Sequence, residues 1–219
     1  MILGKTSQCT RLCNDRCIFT RSEVLDNLPL TLAVIADHGA HADALHYFSG
    51  LWDRLTSLFV TKHPSHASIR RCLEKGLTDY LSVSVFDTHY NNFVQHGGIL
   101  ALLLAYGNRF ELRCTGNCRI YRQRRHRLKA LLVSEPNDAK DASEYTVVSH
   151  AGKLYPDDTF LLCRGSDASQ LPPDLLRSAL GCADDTFDAC ADMLCKALPQ
   201  HTDKEPANML AVRFLRQSS

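Results

Sequence analysis

The stretch from Gly97 to Val133 constrains this chain more than any other. An apolar run, Ile99 to Ala105, leads through Gly107-Asn108 into Arg109-Phe110-Glu111-Leu112-Arg113-Cys114-Thr115. A second turn, Gly116-Asn117, opens Cys118-Arg119-Ile120-Tyr121, and a basic turn then leads into Leu128 to Val133. Glycine and asparagine tolerate the positive φ that short antiparallel connections demand, so the pattern predicts a β-meander. The first strand is apolar on both faces, which places it inside a packed sandwich.

The chain has 219 residues and a formal net charge of +1. That length suits one medium domain with a substantial core, and residues 1–219 are read as a single domain. Nearly balanced charge gives no global field toward nucleic acid or an acidic membrane. No run reaches the ~18 apolar residues of a membrane span, and no leader-like segment opens the sequence. Ten cysteines without a secretion signal suggest reduced thiols in a cytoplasmic protein. Cys9, Cys13 and Cys17 lack the paired short knuckles of zinc sites and read as small buried hydrophobes.

Two strands are expected around Arg11-Leu12-Cys13-Asn14-Asp15. Leu30 to Asp37 reads as a buried strand ending on a carboxylate. Asp37, His38, His41 and Asp43 then form the densest set of potential ligands, and mixed nitrogen and oxygen donors suit zinc or manganese. The alternative is that His41 and Asp43 cap the next helix while His38 faces solvent. A helix over His41–Thr61 is expected to bury Leu45, Phe48, Trp52, Leu55 and Phe59. A second, from Ser65 to Phe93, is expected to bury Ile69, Leu73, Leu77 and Tyr80. Arg122 to Arg127 reads as a solvated hairpin tip, without the interleaved aromatics that nucleic-acid binding wants. Ser134 to Ser143 reads as a loop. Helices are expected over Pro173–Leu180 and Asp184–Leu198, followed by a closing apolar strand.

Several of these stretches resemble the metal-dependent serine/threonine protein phosphatases, the type 2C or PPM family. Gly98-Ile99-Leu100, Gly107-Asn108 and Gly116-Asn117-Cys118-Arg119 are similar in spacing to its Gly-Thr-Thr strand, turn and Gly-Asp-Ser-Arg. Ala36-Asp37-His38-Gly39 resembles its catalytic strand end. Pro156-Asp157-Asp158-Thr159-Phe160-Leu161-Leu162-Cys163 resembles its Pro-Gly-Asp-x-Leu-Leu-Leu-Cys, and Ala207-Asn208 its terminal Asp-Asn. The resemblance runs from about Arg11 to Phe214. It implies an α+β, four-layer αββα sandwich of two mostly antiparallel sheets flanked by helix pairs.

The resemblance also implies a two-metal centre hydrolysing phosphoserine or phosphothreonine, with Asp37 bridging the metals and Asp15 supporting the second. Gly165 and Ala207 stand where that family has metal-binding aspartates, and Asn117 replaces its acidic residue. Asp167 follows two residues late, a displacement of roughly 6–7 Å if the strand continues. Hard divalent cations need enough anionic oxygen to give up their hydration. The expectation is a pseudophosphatase needing no metal that binds a protein partner: a kinase, a phosphoprotein or an assembly component. The alternative is an active phosphatase using manganese or magnesium at a centre rebuilt from Asp15, Asp37, His38, His41 and Asp167.

Overall fold

A computed structural model describes residues 2–10, 17–37, 44–61, 64–85, 99–134, 147–198 and 208–216. Among these residues, ten strands form two five-stranded sheets in which every registered pair is antiparallel. The strands are β1 (Ile2–Thr10), β2 (Cys17–Leu25), β3 (Leu28–Asp37), β4 (Ile99–Tyr106) and β5 (Arg109–Thr115), then β6 (Cys118–Arg124), β7 (Arg127–Ser134), β8 (Val148–Lys153), β9 (Thr159–Arg164) and β10 (Asn208–Arg216). The first sheet has the order β1-β10-β9-β6-β7 and the second β2-β3-β4-β5-β8.

Local chemistry explains the hairpins. Asp26 and Asn27 both take positive φ (49° and 63°) between β2 and β3, the geometry of a two-residue turn whose twist matches its strands. Gly107 (φ 55°) and Gly116 (φ 73°) open the next two turns. The apolar β4 is buried along its whole length, as a strand covered on both faces must be.

Three cores separate four layers. Ala33, Ile35, Leu103, Phe160 and Val212 pack between the sheets. Helices α1 (Ala44–Thr61) and α2 (His66–Val85) cover the second sheet, with Phe48, Leu55, Leu73 and Leu77 inward. Helices α3 (Gly165–Gln170), α4 (Pro173–Leu180) and α5 (Cys190–Ala197) cover the first through residues such as Ala168, Leu176 and Leu194, with Phe187 of the turn before α5. The outcome is the α+β, αββα sandwich.

Four local expectations are corrected. Leu45 is 56% exposed, and Ala44 and Leu51 complete the inner face of α1 instead. Ser134 ends β7 and is buried, rather than opening a loop. The last helical hairpin begins with a 3-10 turn at Phe187–Ala189, not a helix from Asp184. After Arg164 the chain turns into α3, so Asp167 sits in a helix's first turn and the strand-continuation estimate of its displacement fails.

Candidate functional site

Strand ends gather at one pole of the sandwich. Asp37 is the last residue of β3 and registers with Ile99 at the start of β4. Cys17 registers with Ala36, Leu100 with Thr115, Cys118 with Arg164 and Met209 with Cys163. The Cys118 thiol ties the sheets together here, donating to the carbonyls of Leu100 (3.7 Å) and Thr115 (3.6 Å). Of the residues singled out from sequence, Asp15, His38, His41, Asp43 and Ala207 lie outside the described residues. Asp37 is described in its backbone alone, so the structure positions its strand end and not its carboxylate.

Gly165 and Asn117 are brought into contact. The Gly165 N–H donates to the Asn117 carbonyl at 2.9 Å, and a Cβ added at Gly165 would lie 2.0 Å from Asn117 Oδ1. The neutral amide therefore fills the space a side chain at position 165 would need. Two buried thiols, Cys118 and Cys163, flank this pair in sequence. The Cys118 thiol titrates well above its ordinary value, first because it is hydrogen-bonded to Cys114 and then because it is buried. Burial, followed by the Asp167 carboxylate, raises the Cys163 thiol. Asp167 is 5% exposed in the first turn of α3. Thiols held protonated are poor metal ligands and poor nucleophiles.

The opposite pole carries Arg213, which sequence reasoning missed, and Arg124, which was read as part of a solvated hairpin tip and instead binds the buried Asp158. Arg213, 5% exposed in the middle of β10, donates from Nε to Thr159 Oγ1 at 3.1 Å. Its remaining nitrogens reach the Cys182 and Leu180 carbonyls (2.7 and 2.6 Å) and Asp184 Oδ1 (2.9 Å). The guanidinium lies 4.3 Å from the centre of the Phe187 ring. Arg124 grips the fully buried Asp158 with two hydrogen bonds of 2.5 and 2.6 Å and stacks on Tyr155 at 3.9 Å. Between these networks opens a cleft of about 900 Å³, lined by residues including Arg124, His126, Tyr155, Asp157, Cys182 and Arg216. The available signal was an arginine inside the apolar run Met209-Leu210-Ala211-Val212-Arg213-Phe214.

The fold is shared with solved phosphatases. The serine/threonine phosphatase PstP/Ppp of Mycobacterium tuberculosis matches with a TM-score of 0.65 at 14% identity, over 99% of this chain and 100% of that one. A further structure of the PstP catalytic domain holds two manganese ions. PppA, a key regulatory component of the T6SS in Pseudomonas aeruginosa, matches at 0.65 and 20% identity over 98% of each chain. The phosphatase domain of the cell-fate determinant SpoIIE from Bacillus subtilis matches at 0.63 and 13%, over 100% and 95%. No family model matches the sequence, and no curated protein aligns with it significantly. The chain has the fold of the PPM, or type 2C, serine/threonine protein phosphatases.

Gly165 offers no side chain, and the Asn117 amide that covers it is neutral. Among the described residues, no group of three His, Cys, Asp or Glu is arranged to hold a metal ion. Nor, among them, is any helix long and apolar enough to cross a membrane.

Proposed function

We propose that this domain is a pseudophosphatase: the PPM fold retained, turnover lost, and the surface used to bind a protein partner such as a kinase, a phosphoprotein or an assembly component. The contact between Asn117 and Gly165 carries the reading. The resemblance makes both positions acidic in active members, and here one is a neutral amide packed into the space left by the other. Removing several carboxylates from one site reduces metal affinity far more than a single loss, because each supplied charge against the hydration of a hard cation. A regulatory component of an assembly among proteins of the same fold supports a binding role. A cytoplasmic setting fits the free thiols of residues such as Cys72, Cys114 and Cys182.

Thermal unfolding with metal tests the reading. A ligand at millimolar concentration with micromolar affinity adds about 4 kcal/mol to the folded state. For a domain of this size that raises the Tm by roughly 8 to 16 °C. The expected result with magnesium or manganese is almost no shift. Asn117→Ala combined with Gly165→Asp and Ala207→Asp should restore part of it, the first change clearing space for the second. A large manganese shift in the unmodified protein would overturn the reading.

It would favour a centre rebuilt from Asp15, Asp37, His38, His41 and Asp167, for which the burial of Asp167 at this pole is the supporting observation. Manganese-dependent hydrolysis of an aryl phosphate, abolished by Asp37→Asn, would establish that alternative.

A further inference from the structure

The β6–β7 hairpin violates a rule of sheet electrostatics. Arg122 registers directly with Lys129, and Arg124 with Arg127, so two cross-strand pairs, with Gln123–Leu128 between them, carry like charge. Like charges directly opposite each other destabilise an antiparallel pair. Together with Arg125, these four side chains line a hollow of about 540 Å³ whose wall contains no acidic residue. Among the described residues, Arg124 has a carboxylate partner, Asp158, whereas no carboxylate lies within ion-pair distance of Arg122, Arg125, Arg127 or Lys129.

The crowding extends across the mouth of the sandwich. Arg122 lies 5.7 Å from the centre of the Phe110 ring on the other sheet. His150 on β8 is held below its ordinary pKa, first by burial and then by Arg122 and Lys129. The turn itself adds cost, since Arg125 (φ 46°) and His126 (φ 62°) both occupy the left-handed region, where Asn-Gly would sit with less strain. A hairpin whose only task was to close a sheet would avoid this composition. Lysines do guard exposed edges against aggregation, but one inward charge suffices for that.

We propose that this hollow, together with the adjoining strand β7, docks an acidic, extended segment of a partner protein. β7 ends its sheet, so among the described residues its outer edge has no strand neighbour. An added strand satisfies such an edge with main-chain hydrogen bonds, while pockets for its alternate side chains give specificity. Carboxylates at alternate positions of the incoming segment meet Arg127 and Lys129, which are two residues apart on one strand and share a face. The hollow's lining includes no aromatic side chain on which a nucleic-acid base would stack, so a peptide fits it better than a single strand of DNA or RNA. The proposal rests on the partner-binding reading for its biological role, and on the like-charge register for its location.

A fluorescein-labelled decapeptide of alternating Glu and Val, followed by anisotropy, tests it. The intact domain should bind, and Arg127→Glu with Lys129→Glu should weaken binding at least tenfold. Lys75→Glu, on the exposed side of α2, should leave it unchanged. The double variant should keep or raise the Tm, because each new carboxylate faces an arginine across the hairpin. Absence of binding at low salt would overturn the proposal. Equal binding by the double variant, tighter binding of a twenty-nucleotide oligothymidylate, or a Tm lowered by the reversal would each overturn it as well. Peptide binding accompanied by a large manganese shift would leave the docking site standing on an active enzyme, so the two readings fail separately.

Discussion

The two poles of this sandwich are built from the same strands and have opposite chemistry. Where β6 begins and β9 ends, Asn117, Gly165, Cys118 and Cys163 make a close-packed neutral cluster. Where β6 ends and β9 begins, Arg124, Asp158 and Arg213 form buried charge networks around a cleft. A sheet needs its backbone register and its apolar faces, and it does not need the residues at its strand ends. Those ends are therefore free to lose one chemistry and acquire another without disturbing the core. In this protein Asn117 packs against Gly165 at one pole, and the far pole carries the networks of Arg124 and Arg213.

The contrast breaks most visibly at Arg213. Arg213→Met retains the aliphatic bulk but strands the Leu180 and Cys182 carbonyls and Thr159, which now receive its hydrogen bonds. Breaking a buried charge network of this kind costs about 3 kcal/mol. The expected drop in Tm is roughly 6 to 12 °C, read by calorimetry. A loss below ~1 kcal/mol would mean that the far pole does not depend on its charge.

The neutral pole responds to size rather than charge. Gly165→Ala places a methyl 2.0 Å from Asn117 Oδ1, so the amide must rotate away. Overpacking costs about 1–3 kcal/mol. In the Asn117→Ala background the same change should cost almost nothing, so the double variant loses less than the sum of the singles in a double-mutant cycle by urea unfolding. Additive effects would show that the two positions are not packed against each other.

The smallest expected effect concerns alkaline pH. Tyr106 hydrogen-bonds His66, and burial followed by the Glu111 carboxylate pushes its pKa up to about 12. In the unfolded chain the phenol ionises near 10, so the unfolded state loses its proton first as pH rises. The stabilisation is whole below pH 10 and is lost as pH rises toward about 12. Because the group is partly solvent-screened, the loss is on the order of 1 kcal/mol. Tyr106→Phe should flatten that part of the stability–pH curve, and an unchanged slope would contradict this assignment.

Much of the fold was legible along the chain. The doubly apolar Ile99–Tyr106, the Gly107 and Gly116 turns, and the helical stripes of Phe48, Trp52, Leu55 and Phe59 all reappear in place. Leu45 misled because the periodic stripe is wider than the face that packs, and Ala44 took its place at the helix start. Asp167 misled because an apolar strand gives no local sign of where it stops, and Gly165 begins a helix. The hairpin tip at Arg125-His126 was readable as a turn, yet nothing local showed Arg124 reaching Asp158, 34 residues away along the chain.

By itself the sequence determined the local grammar: which runs are strands, which turns join them, and which expected ligand positions lack a carboxylate. Those follow from side-chain volume, periodicity and backbone preference within a few residues. Tertiary structure alone decided that Asn117 fills the space beside Gly165, that Arg213 is buried among loop carbonyls, and that Arg122 faces Lys129 beside His150. Each of these depends on register and packing between residues remote in sequence or on separate strands. A strand's alternation fixes which face a residue takes, and only the assembled sandwich fixes what it meets there.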